Sequence, residues 1–365
     1  MRKKMFIFFA AVLLLTGCTE KTNEVIEGST AIEQPEDNNS IKKEIIKSLI
    51  TDPAKFHFVV DWLTDSKVIY VKKENGLYQV NSFDLESGQT DTLYEDDSMI
   101  IDVLVHPSKK YLLLHTSDNA TSATVKIVTM DGAVQDEVIV ASTELAIEWN
   151  DLDPSLILLT AFHQDWTFDL FLYNGKVESF DLLAIEDPFP KWLGEDKIAV
   201  GFVEGHILDG GEIHTYEPET AKWDQLDLNG VVYFDTYEDT LLAVRINEEE
   251  DALYTIMEKG GVIRSEWTMP VNSNYSEWVI PEIEWNTSDI LFLPASEKGG
   301  QIDELTMPFR LIRVTEGRQD VIADEIVAGV LRCSPSGGKC LTGYSLENLI
   351  DVESKLKTTW LTFPE

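Results

Sequence analysis

Two histidines lie in a glycine-centred hairpin, and their residue types suit metal binding. The segment 205–214 places His206 and His214 beside the acidic residues Asp209 and Glu212, around a Gly-Gly turn. Imidazole and carboxylate groups are ligands for Zn²⁺ and similar ions. The alternative is that the two histidines are ordinary residues on separate strands of the hairpin. We favour this alternative because their spacing matches no known zinc site. We therefore assign no metal and no cofactor, and keep both histidines as candidates for ligand binding.

Three aromatic residues lie in polar loop segments, where they could contact a partner. Trp166 follows His-Gln-Asp, whereas Tyr275 and Trp278 lie within the long segment 270–281, which ends in Pro281. Exposed aromatic side chains anchor protein partners and sugars. The alternative is packing inside the domain, which is the commoner role of large aromatic residues. Both interpretations stay open at this stage.

No linear motif of a known catalytic site is present in the sequence. We find no Gly-x-Ser-x-Gly, His-Glu-x-x-His, Walker loop or dinucleotide fingerprint. Asp151 and Asp153 match the start of a calcium loop, but Pro154 follows and the later ligand spacing is missing. We therefore assign no catalytic residue, and an enzyme is the less favoured interpretation.

Two cysteines near the C-terminus are spaced for a bridge across a turn. Cys333 and Cys340 flank Pro335 and the pair Gly337-Gly338, which separate two short apolar stretches. In an oxidising compartment such a pair can form a disulfide, and the alternative is two free buried thiols. The pair therefore predicts a disulfide only if the chain is exported.

The N-terminus has the plan of an exported chain. Three basic residues precede the apolar run 5–15, which is too short for a permanent membrane span of about 20 residues. The run ends in Leu-Thr-Gly-Cys, which resembles the bacterial lipobox, in which the cysteine receives a lipid thioether. This resemblance predicts a signal peptide at 1–17, lipid attachment at Cys18 and a location on the extracytoplasmic face of the cell membrane.

The chain is strongly acidic. Without the three basic residues of the signal segment, 26 Lys and Arg oppose 65 Asp and Glu, a net charge of -39. This charge argues against nucleic acid as a partner, and against electrostatic attraction to anionic lipids. A hydrophobic content of 44% is ordinary for a globular domain, so the acidity favours solubility at a charged cell surface over disorder.

Three segments follow the signal peptide. Residues 18–40 are polar and have no apolar period, which predicts a flexible tether. In the segment 41–52, Ile41, Ile45, Ile46, Leu49 and Ile50 share one helical face, which predicts a short helix. From residue 53 to 365, short β-rich runs alternate with polar turns, which predicts an all-β domain.

One hairpin recurs through that domain at intervals of about 40–50 residues. An apolar strand ends in a polar turn and a strongly apolar strand follows. The residues at the turn are Trp62, His106, Trp149, Trp192, Thr236, Trp285 and Ser334. A period of this length with four strands per unit is typical of a β-propeller, so the hairpins predict seven blades, with six as the alternative. The recurring tryptophans are expected to pack between blades.

The hairpins HPSKKYLLLH and CSPSGGKCLTGYS resemble those of the TolB and dipeptidyl-peptidase propeller group. Together with the lipobox and the acidic tether, they resemble the YqgU-like propeller lipoproteins of bacilli, a family of unknown function. The resemblance implies a Gram-positive source and a six-bladed propeller.

Two classes of function follow from these observations. The first is a membrane-anchored propeller that binds or scaffolds a protein, peptide or glycan on its loop rim. The second is an exported hydrolase or lyase with a site at the propeller channel. The missing catalytic motifs favour the first class, with the candidate ligand-binding residues Trp166, His206, His214, Tyr275 and Trp278.

Overall fold

The computed structural model describes residues 46–304, 308–327 and 329–364. The signal peptide, Cys18, the tether and residues 41–45 of the expected helix lie outside this part. The described residues form strands, with 3-10 turns at Ile207–Asp209 and Ile302–Glu304. No helix in the described ranges is long and apolar enough to cross a membrane.

The helix expected over 41–52 is wrong in its described part. Residues 49–50 form the short strand β1 (Leu49–Ile50), which pairs in parallel with residues 361–362. Leu49 and Ile46 pack in the apolar cluster between the N-terminal and the C-terminal strands of the domain. The apolar spacing fits a helical face, but the C-terminal strand offers backbone hydrogen bonds that an isolated short helix cannot match.

Three antiparallel four-stranded sheets follow, each with its strands in chain order. The first comprises β2 (Phe56–Trp62), β3 (Lys67–Glu74), β4 (Leu77–Asp84) and β5 (Thr90–Asp96). The second comprises β6 (Met99–Val105), β7 (Tyr111–Asn119), β8 (Ser122–Thr129) and β9 (Val134–Ala141). The third comprises β10 (Glu144–Trp149), β11 (Leu156–Phe162), β12 (Phe168–Asn174) and β13 (Ser179–Leu183).

The next two sheets are joined by one long strand. The fourth sheet comprises β14 (Lys191–Leu193), β15 (Lys197–Phe202), β16 (Gly211–Glu217) and the first half of β17 (Lys222–Tyr237). The second half of β17 begins the fifth sheet, with β18 (Thr240–Ile246), β19 (Asp251–Glu258) and β20 (Ile263–Pro270). The halves meet near Gly230, where φ is 70° and the pairing register shifts.

The sixth sheet carries an addition in its connecting segments. The short strands β21 (Asn272–Ser273) and β22 (Trp278–Val279) precede β23 (Glu284–Thr287) and β24 (Ile290–Ala295). The strand β25 (Gly300–Gln301) precedes β26 (Phe309–Thr315) and β27 (Arg318–Ile326). The last sheet comprises β28 (Arg332–Cys333), β29 (Lys339–Thr342), β30 (Asn348–Asp351) and β31 (Lys357–Thr359), followed by β32 (Leu361–Thr362).

The second strand of each sheet shows why these sequences fold into a ring. In β7, Leu112 and Leu114 face the first sheet, whereas Leu113 faces the third. Because successive strand residues point to opposite faces, a continuous apolar run fills two interfaces at once. The described residues contain seven such apolar clusters, one at each junction between neighbouring sheets. The propeller fold is confirmed, and the described strands form seven four-stranded units, called blades below.

The recurring tryptophans pack as expected. Trp62, Trp149 and Trp192 are buried, and Trp285 is half-buried. Each indole N–H also has an acceptor: Trp192 donates to the carbonyl of Glu148 in the preceding blade, at 3.2 Å. These residues therefore belong to the interfaces and not to a ligand site.

The ring closes between the first and last blades by side-chain contacts. The backbone N–H of Ser336 donates to Asp65 Oδ1 at 2.9 Å, and Trp360 is fully buried against Phe83 and Leu85 of the first blade. Residues 53–60 do not contribute to the last blade, because β2 is the innermost strand of the first blade. The last blade takes all four strands from the C-terminal part of the chain.

The two ends of the blades form two different rims. The turn rim contains the first-to-second and third-to-fourth strand turns, such as 63–66 and 85–89 in the first blade. The loop rim contains the second-to-third strand loops and the segments between blades, such as 203–210, 247–250 and 271–283. The described chain starts on the turn rim, because the N–H of Lys47 donates to Leu85 O at 2.7 Å.

Candidate functional site

A cavity of about 550 Å³ opens on the loop rim and is lined by segments from three blades. We call it the rim pocket. Its lining residues are Leu208 from the fourth blade, Glu249, Glu250 and Asp251 from the fifth, Val271, Ser273, Tyr275 and Trp278 from the segment between the fifth and sixth, and Gly299, Gly300 and Gln301 from the sixth. Residues almost 100 positions apart in the sequence therefore meet at one site.

Tyr275 is held at the mouth of the pocket by a tight turn. The strands β21 and β22 pair with each other, which leaves residues 274–277 as the connection. Asn274 Oδ1 accepts hydrogen bonds from the backbone N–H groups of Ser276 and Glu277, at 3.2 and 3.0 Å. Tyr275 has a φ of 73° and its side chain is 67% exposed. The turn therefore presents the ring to solvent instead of packing it inside the domain.

Trp278 links this turn to the fourth blade. Its indole N–H donates to Leu208 O at 3.0 Å, and its half-buried ring packs against the apolar cluster between the fifth and sixth blades. Trp278 therefore fits both interpretations made from the sequence, partner contact and packing. It lines the pocket, and it also packs against the core.

The insertion in the sixth blade completes the wall. Residues 272–273 pair in parallel with residues 300–301, which places the segment 270–281 beside the insertion after Ser296. The buried Asn272 Nδ2 donates to Ser296 Oγ at 2.9 Å. Gln301 Nε2 donates to Ser273 Oγ at 2.8 Å. The Oε1 atom of Gln301 is buried and has no hydrogen-bond partner among the described residues.

The segment that carries Leu208 is fixed by a glycine contact. Gly210 has a φ of 70°, and a Cβ atom there would lie 2.5 Å from the carbonyl carbon of Gly230. Any larger side chain at Gly210 therefore forces the turn away from β17, which would move Leu208 away from Trp278. The glycines at the turn thus position the pocket wall.

The two candidate histidines are engaged locally. His206 Nδ1 accepts a hydrogen bond from the N–H of Leu208 at 3.2 Å, at the start of the turn. His214 lies on β16, with Nε2 3.2 Å from Glu212 Oε2 and its ring 4.6 Å from the ring of Phe202. Within the described ranges, no group of three or more His, Cys, Asp or Glu residues has the geometry of a metal site.

Trp166 lies on the same rim but outside the pocket. It is at the tip of the hairpin between β11 and β12 in the third blade, with a φ of 66°, and is 86% exposed. This exposure excludes packing between blades as its role. The structure thus brings together Tyr275, Trp278 and the loop that begins at His206, but it places Trp166 and His214 elsewhere.

The central channel is charged, a feature that sequence reasoning missed. A cavity of about 570 Å³ lies among the innermost strands, and its lining includes Asp61, Glu284 and Arg332. Six charged residues lie one or two positions before the recurring turn residues: Asp61, Glu148, Lys191, Asp235, Glu284 and Arg332. The signal was present in the repeat, since five of these charges directly precede Trp or Thr at the turn position.

Ion pairs join these channel residues across blade boundaries. Lys191 Nζ lies 3.0 Å from Glu148 Oε2 and 3.5 Å from Asp235 Oδ1. Arg332 Nη1 lies 2.6 Å from Glu282 Oε1 and 3.5 Å from Glu284 Oε2. These contacts compensate the desolvation of each charge. The network is therefore a set of structural ion pairs between the innermost strands.

Burial changes the proton affinities in the channel. Burial raises the pKa of Asp151 to about 7, with the carboxylates of Glu148, Asp235 and Glu238 adding to it, although the backbone N–H of Glu238 stabilises the charged form. Burial also raises the pKa of Glu148, despite its contact with Lys191. Protonation of the channel is therefore sensitive to pH near neutrality.

The two C-terminal cysteines are opposite each other on paired strands. Cys333 and Cys340 are register partners in β28 and β29, and their Cα atoms are 4.0 Å apart. The structure joins their sulfur atoms in a disulfide with an S–S distance of 2.02 Å. The pair lies in the apolar cluster between the sixth and seventh blades, away from the rim pocket.

Comparison with known proteins identifies related sequences and folds. Residues 84–343 match the family described as YqgU-like 6-bladed beta propeller domain. The matched segment omits β1 to β3, all of β4 except Asp84, and β30 to β32, so it covers fewer strands than the seven units described here. A relative in Bacillus subtilis strain 168, described as uncharacterized lipoprotein YqgU, is 22% identical over 97% of this chain and 96% of its own length.

Solved structures with this fold include several propellers. The uncharacterized protein lmo1340 from Listeria monocytogenes EGD-e superposes with a TM-score of 0.80 at 16% identity, over 87% of this chain and 98% of that one. The propeller domain of the Trilobed protease from Pyrococcus furiosus superposes with a TM-score of 0.53 at 11% identity, over 84% and 96%. At these identities the likeness shows the fold alone.

Proposed function

This chain belongs to the YqgU-like β-propeller family, and we propose that it is a membrane-anchored lipoprotein that binds a partner outside the cytoplasm through its rim pocket. The lipobox-like segment ending at Cys18 and the lipoprotein name of the Bacillus subtilis relative support the anchor. The pocket supports the binding role.

The observation that carries the binding role is the construction of the rim pocket. Four segments from three blades converge there, and one exposed aromatic side chain, Tyr275, is held at its mouth by a hydrogen-bonded turn. Interfaces place aromatic anchors in concave, preorganised surfaces of this kind. A tyrosine needed only for stability would be packed inside the domain.

The place where the chain enters the domain supports this arrangement. Lys47, near the start of the described residues, bonds to the turn rim, whereas the pocket opens on the loop rim. This entry segment therefore leaves the mouth of the pocket uncovered.

The alternative function, an exported hydrolase or lyase acting in the channel, has weaker support. Catalysis needs carboxylates that are free to exchange protons with a substrate. In the channel, Asp61 is paired with Lys109 at 2.9 Å, Glu148 with Lys191, and Glu284 with Arg332. These contacts favour a structural role for the paired channel charges, and Asp151 accepts a hydrogen bond from the backbone N–H of Glu238.

Site-specific crosslinking in the native membrane tests the proposal. A photoreactive phenylalanine analogue replaces Tyr275 in the full lipidated chain, and the matched control carries it at Phe180, which is 40% exposed on the outer strand of the third blade. We expect a discrete crosslinked product from position 275 and none from position 180. Equal crosslinking at both positions, or none at 275, contradicts a partner at the rim pocket.

A further inference from the structure

We propose that the rim pocket recognises a basic side chain, lysine or arginine, in a peptide segment of its partner. This inference rests on the proposed binding role and names the chemistry of the occupant. It is carried by the charge of the pocket, by its aromatic side chains, by a buried acceptor without a partner, and by an apolar cavity next to it.

The pocket carries an uncompensated negative charge. Glu249, Glu250 and Asp251 are consecutive, all three line the pocket, and no ion pair in the described part of the chain includes any of them. The lining residues include no lysine and no arginine. Glu74, by comparison, is paired with both Lys55 and Lys72.

The acidic turn is held in place by its own sequence. Asn247 Oδ1 accepts hydrogen bonds from the backbone N–H groups of Glu249 and Asp251, at 3.0 and 2.8 Å. The backbone N–H groups therefore bond within the turn, and the three carboxylates remain available for a ligand.

The aromatic residues suit the same ligand. A cation placed over the face of Trp or Tyr is attracted by the ring, and arginine does this most often. Tyr275 is exposed, and the N–H of Trp278 is already occupied by Leu208 O, so Trp278 offers the pocket its ring and not a donor. Aromatic rings beside unpaired carboxylates favour a cation that is partly apolar, which describes a lysine or arginine side chain.

Gln301 adds an acceptor that lacks a donor. Its Nε2 donates to Ser273 Oγ, whereas its buried Oε1 has no hydrogen-bond partner in the described ranges. Buried carbonyl oxygens without a donor are rare in folded proteins, because their desolvation is not compensated. Because this oxygen is covered by protein atoms, a guanidinium or ammonium group can donate to it only after the Gln301 side chain turns toward the pocket.

A second cavity indicates that the basic group belongs to a peptide. A cavity of about 260 Å³ lies on the other face of the β21 segment, where Pro270 and Asn272 line it, whereas Val271 and Ser273 line the rim pocket. It is lined mainly by apolar residues, including Met269, Val279, Ile280 and Phe309. An acidic cavity and an apolar cavity flank this short strand, and together they suit a peptide with a basic and an apolar side chain better than they suit a small amine.

A peptide titration with an isosteric control tests this inference. The full lipidated chain in nanodiscs of neutral phospholipid is titrated by calorimetry with acetyl-Gly-Arg-Leu-Arg-Gly-amide. The control peptide contains citrulline, which keeps the shape of arginine without its charge. We expect the arginine peptide to bind at least tenfold more tightly. Equal affinity for both peptides, or no heat of binding from either, overturns the inference.

Two variants of equal charge locate the interaction. The pocket variant carries Glu249→Gln, Glu250→Gln and Asp251→Asn, and the control variant carries Glu86→Gln, Glu195→Gln and Glu353→Gln on exposed turns of the other rim. We expect the pocket variant to lose at least tenfold in affinity at an unchanged Tm, and the control variant to bind like the wild type. Equal losses in both variants would mean that the peptide follows the overall negative charge of the chain and not the pocket.

Two further measurements distinguish failure of this inference from failure of the proposed binding role. If spermidine binds the wild type as tightly as the arginine peptide does, the assignment of a peptide ligand is wrong. Crosslinking from position 275 that persists unchanged in the pocket variant would overturn the basic ligand while leaving the binding role intact. Loss of that crosslink in the pocket variant supports both.

Discussion

The indole N–H of Trp62 donates to the backbone carbonyl of Arg332 at 3.0 Å, which joins two residues 270 positions apart. Trp62 ends the innermost strand of the first blade, and Arg332 begins the innermost strand of the last. Together with the buried Trp360, this bond fastens the closing interface of the ring. A closed ring exposes no long sheet edge, so the interface protects the whole domain from edge-to-edge association.

Substitution of Trp62 tests how far this closure stabilises the ring. Trp62→Phe keeps most of the buried ring but removes the N–H, so we expect a loss of about 1–3 kcal/mol in the free energy of unfolding from the unpaired carbonyl. Trp62→Ala should cost about 3–5 kcal/mol. Urea denaturation followed by circular dichroism measures both, with the exposed Trp166→Phe as the control. A Trp62→Phe midpoint equal to that of the wild type would contradict the bond's role.

The disulfide between Cys333 and Cys340 is expected to form in the exported protein. Closing a loop of this size stabilises a fold by about 2–3 kcal/mol on the chain-entropy model, so the double variant Cys333→Ala and Cys340→Ala should lose about that much. Mass spectrometry of unreduced peptides should show the two cysteines linked. Two alkylatable thiols in the native protein would refute the bridge.

Asp151 is expected to make stability depend on pH. Its pKa is about 7 in the folded state, against an ordinary value of 3.8, so between these values the folded chain holds a proton that the unfolded chain has lost. Its contribution to the free energy of unfolding is therefore full below about pH 4 and is lost as the pH rises to about 7. The slope cannot exceed about 1.4 kcal/mol per pH unit.

Asp151→Asn removes this dependence, and comparison with the wild type isolates it from other groups. Denaturant midpoints measured from pH 4 to 8 should show that the stability of the wild type relative to the variant falls as the pH rises, then levels off. Parallel pH profiles for the two proteins would contradict the raised pKa.

Alanine substitutions of Trp166 and Trp278 distinguish a role in recognition from a role in packing. Trp166→Ala should leave Tm unchanged, because its side chain is 86% exposed. Trp278→Ala should lower stability by about 1–3 kcal/mol, because it removes the bond to Leu208 O and a contact with the core. Thermal unfolding of both variants measures this difference. A larger loss for Trp166→Ala would show that we have misjudged its surroundings.

Cys18→Ala tests the membrane anchor. We expect the variant to lose labelling by a fatty-acid probe and to remain as precursor or be released from the cell, because the thioether cannot form. Metabolic labelling followed by fractionation measures both effects, and Cys333→Ala provides the control, since that residue lies inside the folded domain. Unchanged labelling of the Cys18 variant would exclude the lipobox interpretation.

The sequence by itself determined the propeller and the role of its tryptophans. The reason is that each blade repeats a local pattern: an apolar second strand that is buried on both faces, and a turn that follows Trp62, Trp149, Trp192 or Trp285. Period and strand content can be found in the sequence without knowing which strands pair. The charged position before each tryptophan could have been found from the same repeat.

Tertiary structure decided the features that depend on distant partners. Leu49 and Ile50 form a strand and not a helix because the C-terminal strand β32 lies beside them. The rim pocket exists because the Gly210–Gly230 contact and the Trp278–Leu208 bond bring the fourth blade against the segment that carries Tyr275. Local sequence sets the period and the burial pattern of each strand, whereas the meeting of loops from different blades depends on how the whole ring packs.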